Sequence, residues 1–244
     1  MSRTVLITGV SKGIGLATAT ILLVTSFMYS PKLFRMSTKR KWLELQDRQK
    51  IQQVQAIFYF AISALRKEYP DRFLYIQGDV AKNEVQQRAL DAAQNLGGLD
   101  SLVLNAEFDG MKTNLFSLVS LVQLTIPSIR EKRGSIIFVS SGAATKSYAA
   151  WGAYGASKAA LNHLCGTLGV EEQSITSISV RPGVVDSEMQ REIREAGQQM
   201  SHVDQKRFHA LFEGGELLSP TVPGWSLVYP SRSTVQVEYL PRWL

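Results

Sequence analysis

Three side chains that can move protons lie between residues 141 and 158 of the sequence. Tyr154 and Lys158 are four positions apart, so a helix that begins near Tyr154 carries both on one face. An ammonium one turn away can lower the pKa of the phenol from about 10 towards neutral pH. A phenol tuned in this way is a general acid, and the Ser141 hydroxyl can meet it over a substrate oxygen. A tyrosine and a lysine at this spacing also recur in ordinary helices, where the ring packs and the lysine is solvated.

Short apolar runs predict the elements that must position these side chains. The run Ser135–Ser140 ends just before Ser141 and predicts a buried parallel strand, whose carboxyl end is where an α/β sheet binds its ligands. A first strand is predicted over Thr4–Ile7. Further strands are predicted over residues 72–77, 102–104, 175–180 and 234–240, and helices over residues 83–96, 114–132 and 188–212.

A glycine-rich turn follows the first predicted strand and opens the next helix. Its Gly9, Gly13 and Gly15 allow a tight turn and a close approach of the backbone to a pyrophosphate at the helix N-terminus. Such a turn alone is a weak signal, but its position between a strand and a helix indicates a dinucleotide site.

Taken together, the motifs resemble those of the short-chain dehydrogenase/reductase family over most of the chain. These motifs are, in order, Thr8-Gly-Val-Ser-Lys-Gly-Ile-Gly15, Asn105-Ala106, Ser141, Tyr154 with Lys158, and Arg181-Pro182-Gly183. The resemblance implies one Rossmann-type domain over residues 1–244, with a doubly wound parallel β-sheet and helices on both faces. The run Trp151–His163 is similar, more narrowly, to fungal sepiapterin reductase-like and benzil reductase-like carbonyl reductases.

The resemblance also implies an NADPH-dependent oxidoreductase that reduces the carbonyl group of a small molecule, such as a ketone, an α-diketone or a pterin side chain. Hydride transfer would accompany proton donation by Tyr154, while Ser141 hydrogen-bonds the substrate oxygen. Lys158 would lower the pKa of Tyr154 and anchor the ribose. Asn114 would hold a water that relays protons from Lys158, and a helix N-cap is the alternative role for this asparagine.

The same resemblance implies which residues contact the dinucleotide. Lys12 favours NADP over NAD, because a basic residue at this place in the family usually accompanies a 2′-phosphate; a solvated lysine is the alternative. Asp79 and Val80 would lie against the adenine, and the segment Pro182–Ser187 would hold the nicotinamide carboxamide. The implied cofactor-binding residues are Gly9, Ser11, Lys12, Gly13, Ile14, Gly15, Asp79, Val80, Asn105, Ala106, Tyr154, Lys158, Pro182, Gly183, Val185 and Ser187.

Four features depart from the family pattern and support a second hypothesis. Residues 30–70 show no clean strand and fit an insertion, an altered reading frame or a divergent strand and helix. Glu107 replaces the glycine of the family's Asn-Ala-Gly, and the helix expected between this motif and Asn114 cannot fit. Prolines and a glycine between residues 221 and 233 leave little room for the last helix, so the C-terminal end looks abbreviated. The second hypothesis is a catalytically impaired relative that acts as a cofactor-binding or protein-interaction module.

The composition of the chain limits the kinds of partner that the protein binds and the cellular compartment in which it is expected. The net charge of +6 falls between residues 31 and 70, which carry nine Lys/Arg against three Asp/Glu, so nucleic acid is not the favoured partner. The single cysteine, Cys165, excludes a disulfide framework and indicates a reducing, cytoplasmic location. The apolar stretch Leu16–Met28 is too short to cross a membrane, and the three histidines lack metal-ligand partners at useful spacing. The family resemblance allows a homodimer.

Overall fold

The apolar runs of the sequence form the strands of one seven-stranded sheet in the computed structural model of the chain. The structure describes residues 3–25, 32–37, 63–70, 73–107, 110–196, 200–228 and 237–238. The strands are β1 (Thr4–Thr8), β2 (Lys32–Ser37), β3 (Phe73–Gln77), β4 (Ser101–Leu104), β5 (Ser135–Val139), β6 (Thr176–Val180) and β7 (Val237–Glu238). Their order across the sheet is β3-β2-β1-β4-β5-β6-β7. Neighbours from β3 to β6 are parallel, and β7 runs antiparallel to β6.

The helices connect and cover these strands. They are α1 (Gly13–Thr25), α2 (Asn83–Asn95), α3 (Ser117–Glu131), α4 (Gly152–Glu171), α5 (Glu188–Ala196), α6 (His202–Glu213) and α7 (Thr221–Val228). A π-helix (Lys112–Phe116) leads into α3, a 3₁₀ turn (Gly142–Ala144) follows β5, and residues 63–68 are helical. The helix predicted over residues 188–212 is thus two helices, α5 and α6. Within the described ranges, none of these helices has the length and hydropathy needed to span a bilayer.

Strand side chains alternate between two apolar layers, which explains the near-continuous apolar runs. Leu6, Leu102 and Phe138 face one layer together with residues of α2, α3 and α4. Ile7 and Val103 face the other layer together with residues of α1 and α7. Because both faces of the sheet are buried, its central strands need no alternation of polar residues. The predicted doubly wound parallel sheet with helices on both faces is therefore confirmed for β1 to β6.

β2 corrects the expectation that residues 30–70 contain no clean strand. It pairs in parallel with β1, from Thr4 opposite Lys32 to Thr8 opposite Met36, and with β3 on its other side. Backbone hydrogen bonds to two neighbouring strands hold a segment whose sequence, Lys-Leu-Phe-Arg-Met-Ser, lacks a period of two. Residues 38–62 of the basic segment lie outside the described residues.

α7 corrects the expectation that the C-terminal segment leaves little room for a helix. Pro223 lies in its first turn, where a missing N–H removes no intrahelical hydrogen bond. Gly224 lets α7 approach α1 closely, because a Cβ at this residue would lie 3.0 Å from Ile21 Cδ1 and 3.3 Å from Ala17 Cβ. Pro230 lies outside the described residues, as does most of the strand predicted over residues 234–240.

Candidate active site

The carboxyl ends of β1 and β4 mark the place where the strand order reverses. β1 leads to β2 and β3 on one side, and β4 leads to β5 and β6 on the other. An open α/β sheet binds its ligand in the crevice at such a switch point. The glycine-rich turn follows β1 here and Asn105-Ala106 follows β4, so the structure brings together two motifs that are distant in the sequence.

Hydrogen bonds fasten the glycine-rich turn to the end of β4. The N–H groups of Asn105 and Ala106 donate to Thr8 Oγ1 at 3.0 and 2.8 Å. The Asn105 side-chain amide donates to the carbonyls of Thr8 and Gly9 at 3.1 and 2.9 Å. Gly9 has a φ of +68°, and a Cβ there would lie 2.6 Å from Ala106 Cα, so no larger residue fits. This close-packed cradle has the shape that a pyrophosphate requires of the backbone.

The remaining residues of the turn lead into α1. Ser11 and Lys12 precede the helix, and Gly13, Ile14 and Gly15 form its first turn. The backbone N–H groups at a helix N-terminus carry a partial positive charge and favour an anion. The residues present therefore fit the phosphate groups of a dinucleotide.

The Lys12 ammonium forms an ion pair with the Glu188 carboxylate at the start of α5. Glu188 also lies 3.4 Å from the guanidinium of Arg191, one turn further along the same helix. The Lys12–Glu188 pair joins the glycine-rich turn to the segment that follows β6. Binding of a 2′-phosphate by Lys12 stays a prediction, and Glu188 is the anion that would compete with that phosphate.

α4 carries Tyr154 and Lys158 one turn apart, as their spacing predicts. Lys158 is only 1% exposed, and its Nζ donates to the Val139 carbonyl at the end of β5 at 2.9 Å. The same Nζ lies 5.7 Å from the centre of the Tyr154 ring. Ser141 is two residues beyond the end of β5, and its side chain lowers the pKa of the Tyr154 hydroxyl. The structure therefore brings the three predicted side chains together at one edge of the sheet.

Glu107 is a fourth member of this group. Its Oε1 lies 3.5 Å from Lys158 Nζ, and its carboxylate is a hydrogen-bond partner of the Tyr154 hydroxyl. Sequence reasoning marks Glu107 as a departure from the family pattern, but does not identify it as a neighbour of Tyr154 and Lys158. The feature of the sequence that could have revealed this proximity is the position of Glu107 directly after Asn105-Ala106. This position puts it at the same edge of the sheet as Ser141.

The surroundings of Tyr154 correct the expectation that its pKa is lowered. Burial has the largest effect and raises the pKa of the phenol, because the phenolate form loses its hydration. The negative charge of Glu107 raises the pKa further, and the hydrogen bond with Ser141 opposes this rise only in part. Lys158 does not reverse the effect, since its ammonium lies next to Glu107 as well as Tyr154. Tyr154 is consequently a protonated phenol at neutral pH.

Asn114 lies inside the π-helix, not at a helix N-cap, so the N-cap alternative is wrong. The residue is 1% exposed, and its N–H donates to the Gly110 carbonyl at 3.2 Å. Single turns of π-helix occur frequently at functional sites, and this turn packs against α4. The described residues 105–107 and 110 between β4 and this helical segment form no helix, as predicted for the shortened connection.

The segment Pro182–Ser187 leaves the carboxyl end of β6, with Gly183 in the left-handed region at φ +80°. Val185 forms an isolated parallel bridge with Leu218. The groups that bond Leu218 belong to the residues on either side of Val185, so the N–H and C=O of Val185 point the other way. Ser187 Oγ accepts a hydrogen bond from a backbone N–H in the first turn of α5 at 3.3 Å. Contact of this segment with a carboxamide stays a prediction.

Asp79 and Val80 follow β3 at the same edge of the sheet. Asp79 Oδ1 accepts a hydrogen bond from the N–H of Ala81 at 2.9 Å, and the carbonyl of the buried Val80 accepts one from Gln86 Nε2 at 2.8 Å. These bonds fix the turn after β3. Contact with an adenine stays a prediction.

Sequence reasoning does not identify the aromatic cluster beside Tyr154. Trp151 packs edge-on against the Tyr154 ring with the centroids 5.7 Å apart, and stacks on Phe208 of α6 at 5.9 Å. Tyr148 lies 5.0 Å from Trp151. Tyr148 and Trp151 stand just before Tyr154 in the sequence, so their positions could have indicated an aromatic cluster. Phe208 reaches the cluster only through the packing of α6, which the sequence does not reveal.

A glycine cradle at the switch point of a parallel sheet, with a buried tyrosine and lysine at the same edge, defines a dinucleotide-dependent oxidoreductase. A model of the short chain dehydrogenase family matches residues 59–198, which is more than half of the chain. The chain therefore belongs to the short-chain dehydrogenase family, whose oxidoreductases use NAD or NADP. The recognition made from the sequence motifs is confirmed.

Relatives of the chain include oxidoreductases and carbonyl reductases. An uncharacterized oxidoreductase of Saccharomyces cerevisiae is 34% identical over 242 residues, covering 91% of this chain and 87% of the relative. An (S)-benzoin-forming benzil reductase of the same yeast is 34% identical over 251 residues, covering 91% and 88%. A sepiapterin reductase of Mus musculus is 30% identical over 200 residues, covering 78% and 77%. The predicted likeness to benzil and sepiapterin reductases is thus confirmed.

The crystal structure of the yeast oxidoreductase, described as a short chain dehydrogenase/reductase, has a closely similar fold. It is 33% identical, covers 91% of this chain and 87% of its own chain, and gives a TM-score of 0.78.

Proposed function

We propose that the protein reduces the carbonyl group of a small molecule, with NADPH as the hydride donor and Tyr154 as the proton donor. One observation carries this proposal: the side chains of Tyr154, Ser141 and Lys158 converge at the edge of the sheet where the glycine-rich turn lies. Such a set can donate a proton and stabilise charge on a substrate oxygen at one place.

The residues that would hold NADPH lie along this edge. The Gly9 cradle and the N-terminus of α1 suit the pyrophosphate, and the outward backbone groups of Val185 suit the carboxamide. Lys12 suits the 2′-phosphate when it is released from Glu188, which supports NADP over NAD. When bound, the dinucleotide supplies the hydride that the side chains cannot.

The proton comes from Tyr154, which keeps its proton at neutral pH because it is buried beside Glu107. As negative charge develops on the substrate oxygen, the phenol donates its proton to that oxygen, and Ser141 hydrogen-bonds the same atom. Lys158, held by the Val139 carbonyl, stabilises the phenolate that remains. The buried Asn114, on the π-helix that packs against α4, supports return of the proton through a water.

The aromatic cluster favours substrates that carry a flat ring next to the carbonyl group. Trp151, Tyr148 and Phe208 present ring faces and edges beside Tyr154, where an aryl or pterin ring can pack. The names of the relatives, benzil reductase and sepiapterin reductase, agree with this substrate class. We therefore include α-diketones and pterin side-chain ketones in the proposal.

One observation favours a second function. The Glu107 carboxylate lies against both Tyr154 and Lys158, where it would oppose ribose binding by Lys158. A chain impaired in this way would bind a cofactor or a protein partner without turnover. NADPH binding with no reduction of α-diketones or pterins would identify this second function.

The proposal also includes the assembly and location of the protein. The single sheet formed by all seven described strands supports one domain over residues 1–244. The free thiol of Cys165 is buried on α4, which suits a reducing cytoplasm. Family membership supports a homodimer with a small-molecule substrate.

The Tyr154→Phe variant tests the proposal, because it keeps the ring and removes only the hydroxyl. NADPH should bind as it does to the parent, while reduction of an α-diketone falls by about two orders of magnitude or more. Fluorescence titration measures binding, and the loss of NADPH absorbance measures the rate.

Tyr148→Phe is the matched control, since it removes a hydroxyl from the same aromatic cluster, where that hydroxyl bonds Arg207 at 3.3 Å. Its rate should stay within a few-fold of the parent. A Tyr154→Phe protein that reduces the diketone at a similar rate would overturn the catalytic assignment. A parent protein that binds neither NADPH nor NADH would overturn the proposed function.

A further inference from the structure

Glu107 places a carboxylate among the side chains that surround Tyr154, the proposed proton donor. Its side chain is 19% exposed, against 2% for that of Lys158, and its Oε1 atom is fully buried. This atom makes no hydrogen bond within the described part of the chain, and it lies 3.5 Å from Lys158 Nζ. The charge of this carboxylate also raises the pKa of the Tyr154 phenol. Within the described residues, Glu107 is thus the anion that acts on the candidate acid.

The charged and titratable groups next to Glu107 are Tyr154 and Lys158, both on α4. Other side chains that the structure brings to this edge are neutral, namely Thr8, Asn105, Ser141 and Asn114, and the π-helix also carries the cation Lys112. Lys12 and Glu188 pair with each other between the glycine-rich turn and α5. Among the described residues, Glu107 is the anion that acts on Tyr154, and Lys158 is the cation beside its ring.

The two directions of the reaction require different forms of Tyr154. In carbonyl reduction, the Tyr154 O–H bond would break and its proton would go to the substrate oxygen, while a bound NADPH would supply the hydride to the carbonyl carbon and become NADP. In alcohol oxidation, the Tyr154 phenolate would take the hydroxyl proton, and a bound NADP would accept the hydride. A carboxylate in contact with Tyr154 repels the phenolate, and repulsion is strong where solvent is excluded.

We propose that Glu107 is a positioning residue that holds Tyr154 in its protonated form and thereby favours turnover as carbonyl reduction over turnover as alcohol oxidation. This inference rests on the proposed function, since it assigns a direction to the same reaction. It also gives a role to the residue that departs from the family pattern at this place.

Glu107→Gln tests the inference, because it keeps the size of the side chain and removes the charge. The ultraviolet absorbance of tyrosine ionisation is measured against pH for the parent and for Glu107→Gln. The curve of the same protein carrying Tyr154→Phe is subtracted from each, which leaves the ionisation of Tyr154. Tyr154 should ionise at lower pH in Glu107→Gln, by about 1 to 3 pH units. At a mildly alkaline pH, the turnover number of alcohol oxidation at saturating NADP and alcohol should rise about tenfold or more relative to that of carbonyl reduction at saturating NADPH and carbonyl substrate.

Glu171→Gln is the matched control, because it removes an exposed carboxylate at the far end of the same helix, α4. It should leave the Tyr154 ionisation and the ratio of the two rates unchanged. Glu107→Gly, which restores the glycine of the family motif, should act like Glu107→Gln and serves if the glutamine variant does not fold.

An active parent whose Tyr154 ionises at the same pH with and without the Glu107 charge would overturn the inference and leave the proposed function standing. So would an unchanged ratio of oxidation to reduction. A parent that turns over no carbonyl substrate would instead overturn the proposed function, and the inferred direction with it.

Discussion

Lys158 links the core of the protein to its candidate chemistry. Its ammonium bonds the Val139 carbonyl at 2.9 Å and lies 3.5 Å from Glu107, while almost none of its surface reaches solvent. A buried cation is stable only when its partners offset the lost hydration. Loss of this charge must therefore affect Glu107 as well as Tyr154.

The Lys158→Met variant keeps much of the apolar stem and removes the charge. We expect NADPH binding to weaken about tenfold or more and carbonyl reduction to slow, because the ribose anchor and the phenolate partner are both lost. The free energy of unfolding should fall by about 3 to 5 kcal/mol, since Glu107 is left without its cation. Fluorescence titration and urea unfolding measure the two effects.

A second substitution separates the structural effect from the functional one. Lys158→Met combined with Glu107→Gln leaves neither charge buried, so it should regain most of the lost stability. It should not regain NADPH affinity or rate. Parent-like affinity and rate in Lys158→Met would contradict the assigned role of this lysine.

The residues of the site differ in how far the sequence predicts them. Tyr154, Lys158 and Ser141 follow from spacing on one helix and from the end of one apolar run, which are local features. The contact of Glu107 with Tyr154 and Lys158 is not local, because it depends on β4 and β5 lying side by side. The raised pKa of Tyr154 follows from burial and from that contact, and the sequence alone led to the opposite expectation.

At the scale of elements, an ion pair connects the glycine-rich turn to α5. Lys12 belongs to the turn predicted to contact the dinucleotide, and Glu188 begins the helix that follows the predicted carboxamide segment Pro182–Ser187. A 2′-phosphate would attract Lys12 and repel Glu188. Entry of NADPH should therefore exchange one anion for another at Lys12, whereas NADH lacks the competing group.

Lys12→Ala should weaken NADPH binding about tenfold or more and change NADH binding much less, because a charge-assisted bond to the phosphate is lost. Glu188→Gln should act in the opposite direction and strengthen NADPH binding, since the competing carboxylate is removed. Both are measured as dissociation constants by fluorescence titration.

Lys146→Ala is the control for this pair of variants. Lys146 also pairs with a carboxylate on a helix after β6, Asp204 of α6, at 3.5 Å, but lies outside the glycine-rich turn. Its removal should leave the NADPH to NADH ratio unchanged. Equal losses for both cofactors in Lys12→Ala would contradict the choice of NADP.

Two elements show where local patterns fail to predict structure. β2 has a mixed polar sequence and is held by backbone pairing with β1 and β3, which a pattern of side chains does not reveal. α7 contains Pro223 and Gly224, residues that break helices in isolation. The proline lies in the first turn, and the glycine lies at a close contact with α1. Tertiary packing therefore decides that this segment is a helix.

At the scale of the whole molecule, the strand order places all predicted cofactor contacts along one edge of the sheet. Because these strands are parallel, the chain leaves the sheet in the same direction after each of β1, β3, β4, β5 and β6. Five distant parts of the chain thus converge where a long ligand can touch each of them. The apolar runs predict this convergence once they are assigned to parallel strands.

A ligand that contacts so many segments binds the folded chain and not the unfolded one, so it should raise the unfolding temperature of the whole sheet. NADPH at about 100 times its dissociation constant contributes about 2.7 kcal/mol, which for a chain of this size corresponds to a rise of about 5 to 10 °C. Thermal unfolding followed by circular dichroism measures the shift. Tyr154→Phe should show nearly the same rise as the parent, because it loses only the hydroxyl assigned to proton donation and keeps the other predicted cofactor contacts. Lys158→Met at the same NADPH concentration should show a smaller rise. A parent whose unfolding temperature does not change with NADPH would contradict a dinucleotide site at this edge of the sheet. This conclusion would not depend on the result for Tyr154→Phe.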